Sequence, residues 1–134
     1  PGADEHDFQL RPSQAASVAG ADLVVWIGPE LTPWLDSALA TRPDGAATLE
    51  LLGADGTITR PYAGPTPAEV AERVDDQGRS PDGTDPHAWL DPDNGPVWLG
   101  LIATELAGID PDNAAAYMAN AAAAARRIQT LDRR

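Results

Sequence analysis

The chain contains two histidines, and each stands inside a run of residues suited to holding a divalent cation. His6 lies in Gly2-Ala3-Asp4-Glu5-His6-Asp7-Phe8, followed by Leu10-Arg11-Pro12-Ser13. His87 lies in Asp85-Pro86-His87-Ala88-Trp89-Leu90-Asp91-Pro92. Each imidazole follows an acidic or proline-bearing turn and precedes a helix-start signal, which puts both on loops held by rigid elements, where binding groups concentrate. Neutral imidazole is the commonest protein ligand for zinc. A tetrahedral ion needs four donors, so two histidines do not complete a site. On spacing alone such histidines read more simply as ordinary surface residues; their flanking residues are what set them apart.

The elements that must position these loops read as α/β. Pro12 suits the first position of a helix running to about Ala19, closed by Gly20. Asp22 to Ile27 is a short apolar run rich in β-branched residues, the pattern of a strand buried on both faces. Gly28-Pro29 turns the chain into a second helix over about Glu30 to Thr41, with Leu31, Trp34, Leu35, Ala38 and Leu39 at helical spacing. Arg42-Pro43-Asp44-Gly45 breaks it, and Thr48 to Leu52 reads as the next strand. Strand, helix and strand with short connections imply a parallel pair, with helices on the sheet faces and His6 and His87 both emerging at the carboxyl ends of the strands. Trp26 and Trp89 read as core residues.

Residues 53–84 are rich in glycine and proline, and the stretch leading to His87 carries Glu69, Glu72, Asp75, Asp76, Asp82 and Asp85, which reads as a solvated acidic loop. Carboxylates suit hard cations better than zinc, so an auxiliary metal loop is the lesser reading. Beyond Asp91-Pro92 the chain is helical. Val97, Leu99, Leu101, Ile102, Leu106 and Ile109 mark an apolar face, and Asp110-Pro111 start an Ala-rich helix reaching about Leu131. Its few large apolar residues suggest a helix lying across a surface, with its last turns unsupported and Arg126, Arg127, Arg133 and Arg134 exposed.

Composition bounds the function classes. A chain of 134 residues with 43% hydrophobic content has the size and apolar share of one small globular unit. A net charge of −12 argues against a nucleic-acid surface, which needs clustered cations. All nine cationic residues are arginine, and the four in the last helix read as complements to its dipole rather than as a binding patch. No run reaches the ~20 apolar residues of a membrane span. Without cysteine, a soft-metal site has to use histidine and carboxylate.

Three ordered blocks carry a resemblance: Glu5-His6-Asp7-Phe8 with Leu10-Arg11-Pro12-Ser13, Ala21 through Glu30 (ADLVVWIGPE), and Asp85 through Pro92 (DPHAWLDP). Together they resemble the metal-specific solute-binding proteins of ABC transporters, and within them the zinc-uptake, ZnuA-type branch. The match runs through nearly the whole chain except residues about 52–80, where zinc relatives often carry a histidine-rich loop and this chain has no histidine. The resemblance implies two α/β lobes joined by a long helix, with metal in the cleft between them. It makes residues 1–110 part of the first lobe, 111–134 the start of the connecting helix, and the chain a fragment.

By the same resemblance, His6 and His87 are metal ligands lying close in space, and Glu5 matches an acidic residue that some zinc relatives place near the ion. Asp85 and Asp91 flank His87 and could orient it, since ligating histidines usually give their other ring proton to a carboxylate or carbonyl; Asp91 could equally cap the following helix. The implied ligand is Zn(II), with Mn(II) or iron as the alternative within the family, no organic cofactor, an ABC transporter permease as partner and a periplasmic or extracytoplasmic location. Two other classes stay open. Two histidines with carboxylates could activate water for hydrolysis, although no His-Glu-x-x-His helix or serine elbow appears. A sheet edge pairing with another chain would instead make a non-binding interaction domain.

Overall fold

The computed structural model describes residues 10–61 and 83–133. Their architecture is mixed α/β, as the sequence leads one to expect. Helix α1 (Pro12–Ala19) has Pro12 in its first turn, where a missing N–H costs nothing, and Gly20 closes it by donating to the Ala16 carbonyl. Strand β1 (Leu23–Trp26) pairs in parallel with β2 (Ala47–Glu50), Leu23 opposite Ala47 and Trp26 opposite Glu50. The ladder continues past β2: Leu51 N–H donates to Trp26 O at 2.9 Å and Leu52 N–H to Ile27 O at 2.8 Å.

Between the strands, α2 (Pro33–Leu39) begins three residues later than its apolar spacing suggests. Proline has no N–H to donate, so Pro33 belongs at the start of the helix and not within it. Gly28 holds the preceding turn with φ +147°; a Cβ there would stand 2.9 Å from a Glu30 carboxylate oxygen. Its carbonyl accepts from Leu31 and Thr32, the latter next to Pro33. At the other end of the sheet Arg42 donates to the carbonyls of Ala21 (2.6 Å) and Ala47 (2.7 Å), fastening the entries of both strands.

Burial of β1 is uneven. Trp26 is buried as expected, whereas Val25 is 37% exposed, which overturns the expectation of a strand covered on both faces. Among the described residues the sheet has two strands, and a pair that narrow leaves β1 partly open. The core forms just beyond the strands, where Leu51, Leu52, Ala88 and Trp98 meet, flanked by Ile27, Leu49, Val97 and Leu101. Helix α3 (Asn94–Ile109) supplies Trp98 and Ala103 as buried residues and packs against both strands.

A 3-10 turn over Pro111–Asn113 then leads into α4 (Ala114–Asp132). Asp110 precedes the turn, and its carboxylate accepts from Asn113 Nδ2 (2.8 Å) and Tyr117 Oη (2.7 Å). These bonds hold the Asp110 carboxyl below its ordinary range and raise the Tyr117 hydroxyl. Helix α4 packs along α3 through half-buried Ala114, Tyr117, Ala121, Ala124 and Ile128. The expectation of an unsupported end from residue 126 is therefore corrected. Ile128 reaches the first turn of α3 so closely that a Cβ on Gly95 would lie 2.7 Å from its Cδ1. Arg126, Arg127 and Arg133 are exposed as expected, and Arg134 lies outside the described residues.

The contact yields a test. Gly95→Val should lower stability by about 1–3 kcal/mol through overpacking, and adding Ile128→Ala should recover part of that loss. Urea unfolding of the two single variants and the double variant checks this; strictly additive losses would mean the helices do not meet there.

Candidate metal centre

His87 is mounted at two points. On one side Asp85 N–H donates to the Arg60 carbonyl at 2.9 Å, next to an antiparallel bridge between Pro61 and Thr84. On the other, His87 begins a 3-10 turn over Ala88–Leu90, closed by Leu90 N–H on His87 O at 3.0 Å. The Asp85 carboxylate folds over this segment. Its Oδ1 accepts from His87 N–H at 3.0 Å and lies 2.6 Å from His87 Nδ1. The backbone bond first, and then the ring bond, hold the Asp85 carboxyl below its ordinary value.

An ionised carboxylate can only accept, so the ring nitrogen facing it must carry the proton. That leaves the lone pair of the neutral imidazole on Nε2. His87 is 39% exposed at its side chain, and it lines an open depression of about 250 Å³ together with Ile58, Arg60, Leu90 and Asp91. One water occupies ~30 Å³, so the space admits an ion with several donors around it.

Trp89 is 45% exposed and its ring centre stands 5.2 Å from that of His87, tilted by 59°. The expectation that Trp89 belongs to the core is overturned: the 3-10 turn directs Ala88 inward and leaves Trp89 and Leu90 at the surface. Trp26, by contrast, is in the core.

Asp91 does not touch the imidazole. Its Oδ2 pairs with Arg60 Nη2 at 3.0 Å and its Oδ1 accepts from Asp93 N–H at 3.1 Å, just ahead of α3. The Arg60 bond, and secondly that from Asp93, hold its carboxyl low. With Arg60 75% exposed the ion pair adds little stability, though it places a cation on the rim of the depression. His6 and Glu5 lie outside the described residues, and so does their distance from His87. Among the described residues no three histidine, cysteine or acidic side chains are grouped so as to hold a metal ion.

Two residues of this region escape a reading of the sequence. Arg60 carries no local signal. Asn94 reads as a polar residue at a helix start, yet its side chain is fully buried and joins the His87 turn to Ile58. Its place after Asp91-Pro92-Asp93, at the head of an apolar helix, is the one available hint.

The family described as "Zinc-uptake complex component A periplasmic" matches residues 1–134. The chain belongs to this family. It is 45% identical over 149 residues to the high-affinity zinc uptake system protein ZnuA of Paracoccus denitrificans, covering 98% of this chain and 46% of that protein. It is 31% identical to the iron-binding protein YfeA of Yersinia pestis, across 98% of this chain and 37% of the relative. The chain thus spans less than half the length of these curated relatives. Its fold matches a Mn-bound periplasmic metal binding protein from Candidatus Liberibacter asiaticus with a TM-score of 0.72, at 22% identity, over 96% of this chain and 42% of that one.

The depressed Asp85 carboxyl fixes a direction of pH dependence. A folded pKa below the unfolded one adds stability that is present above the ordinary carboxylate value, ~3.9, and fades as pH falls through the lower folded value. Carbon-detected NMR should find Asp85 titrating below that value, and Asp85→Asn should flatten the acid side of the melting-temperature profile. An Asp85 that titrates normally would show that the turn is not held by its carboxylate.

Proposed function

We propose that this chain carries the first-lobe part of a binding site for a divalent metal ion, Zn(II) above all, in a solute-binding component of an ABC uptake system. In this reading His87 Nε2 and a ring nitrogen of His6 coordinate the ion, with Glu5 as a further donor beside His6. Asp85 orients His87 from behind, and the remaining donors come from outside these residues. The ion is cargo and not a catalyst: the protein captures it outside the cytoplasm, in the periplasm, and hands it to a membrane permease. No described helix is long and apolar enough to cross a membrane.

The observation that carries this reading is the Asp85–His87 pair, 2.6 Å from Oδ1 to Nδ1. A carboxylate behind an imidazole is the arrangement that fixes the tautomer of a ligating histidine and raises its basicity. Family membership supports uptake as the purpose. Imidazole suits zinc, while relatives named for iron and for manganese keep Mn(II) and iron as the second reading.

Isothermal titration of the chain with ZnCl₂ and MnCl₂ tests the proposal. Zinc should bind, more tightly than manganese, and His87→Ala and His6→Ala should each weaken it by at least about tenfold. Zinc affinity unchanged by both substitutions would remove the site. Zinc-dependent ester hydrolysis abolished by chelator would point to the hydrolase reading instead.

A further inference from the structure

Asn94 has no exposed surface at all, the only fully buried side chain of its size among the described residues. Its carboxamide makes three hydrogen bonds, none of them to its own helix. Oδ1 accepts from Ile58 N–H at 2.7 Å, while Nδ2 donates to the carbonyls of Ile58 and Ala88, each at 2.9 Å. Ile58 lines the depression into which His87 opens, and Ala88 is the residue after His87. One side chain therefore ties the head of α3 to both flanks of the imidazole turn.

From this geometry we infer that Asn94 is a positioning residue for the cation site, fixing the direction in which His87 presents Nε2; the inference rests on the metal-binding reading above. The bonds divide the work. Asp85 sets the rotation of the imidazole about its own side chain. The Arg60–Asp85 backbone bond and the Asn94–Ala88 bond set where the backbone of His87 lies. A metal–nitrogen bond of about 2.0–2.1 Å is short and directional, so a ligand whose backbone can drift loses affinity before it loses its fold.

The chemistry at position 94 demands this side chain. Two carbonyls need two N–H donors and one N–H needs an acceptor, and a primary amide offers them in one plane. Serine is too short to span from α3 to both segments. Leucine fills the volume but strands all three backbone groups. Glutamine adds a methylene where Asn94 already fills the space.

Zinc affinity, thermal stability and the Co(II) absorption spectrum of the 134-residue chain, compared among parent, His87→Ala, Asn94→Ser and Thr57→Val, test this. Thr57 serves as the control, since its hydroxyl donates to Leu51 O and accepts from Trp98 Nε1 in the same core without touching the His87 turn. Thr57→Val should lower the melting temperature and leave zinc affinity unchanged. Asn94→Ser should weaken zinc roughly tenfold or more and shift the Co(II) bands, the signature of altered coordination geometry.

Parent-level zinc affinity and Co(II) spectrum in a folded Asn94→Ser variant would overturn the positioning role alone, because His87→Ala would still weaken binding. Equal weakening by Thr57→Val and Asn94→Ser would also overturn it, reducing Asn94 to general stability. Zinc binding indifferent to His87→Ala would sink both readings together. Should Asn94→Ser fail to fold, NMR of the parent chain decides: the Asn94 side-chain amide resonances shift on zinc addition if the carboxamide is coupled to His87, and stationary resonances overturn the inference.

Discussion

A carboxamide with no access to water must have its donors and acceptors matched within the protein, because an unsatisfied buried polar group costs roughly 1–3 kcal/mol. Much of the chain beyond β2 is arranged around that constraint at Asn94. Its partners, Ile58 and Ala88, belong to segments on either side of residues 62–82, and neither lies in a regular strand that would hold it otherwise. One residue before Ile58, Thr57 makes a separate set of bonds: its hydroxyl donates to the Leu51 carbonyl and receives the Trp98 indole N–H. One set of hydrogen bonds thus secures the end of the β-ladder to the core, and the other secures the turn that carries the histidine. The apolar core alone is small, and these polar links give it a defined arrangement.

Helix α3 is shared by the His87 turn, the core and the C-terminal helix pair. Its first residue organises the His87 turn, Trp98 enters the core under Leu51 and Leu52, and another side of it receives α4. The alanines of α4 favour helix but bury little area, so its place depends on a narrow set of contacts. Gly95 next to Asn94 lets Ile128 approach, and Asp110 holds the opposite end through Asn113 and Tyr117. Fixing both ends of the helix pair also fixes the first turn of α3, which bears Asn94. The imidazole is therefore positioned by packing more than ten residues away in the chain as well as by its immediate neighbours.

Regular elements were legible wherever a local rule dominated. Pro12 and Gly20 bound α1 where a first-turn proline and a closing glycine should, and the run from Leu23 to Trp26 gave a parallel strand. The start of α2 was misread because apolar spacing outweighed Pro33, whose missing N–H decides the matter. The buried face of α3 is legible only in part: Val97 and Leu101 pack against the core as their spacing predicts, but a helix apolar on several sides does not announce which one is covered most, so Trp98 and Ala103 escape the pattern and Ile109 lies 42% exposed. Trp89 failed through a rule of thumb that large aromatics belong inside, where a short 3-10 turn chose Ala88 instead. Of the site, the Asp85–His87 pairing could be foreseen from two residues of spacing. The Asn94 bridge could not, since it spans 36 positions to Ile58 and no local pattern encodes that distance.

On the proposed reading, the described residues contribute one imidazole and very little choice between metals. Imidazole accepts zinc and iron and, more weakly, manganese, and an affinity order that favours later first-row metals holds for most nitrogen and oxygen donor sets. Selection must come from the other donors and from the space they enclose. The relatives fit this division: proteins named for zinc and for iron share this part of the sequence. Arg60 adds a constraint of its own. Asp91 neutralises it across 3.0 Å, and without that partner its guanidinium would repel a dication entering beside His87. On this reading the two aspartates around His87 have separate tasks, one securing the ligand and the other offsetting a positive charge at the mouth, and neither needs to touch the ion to matter for its capture.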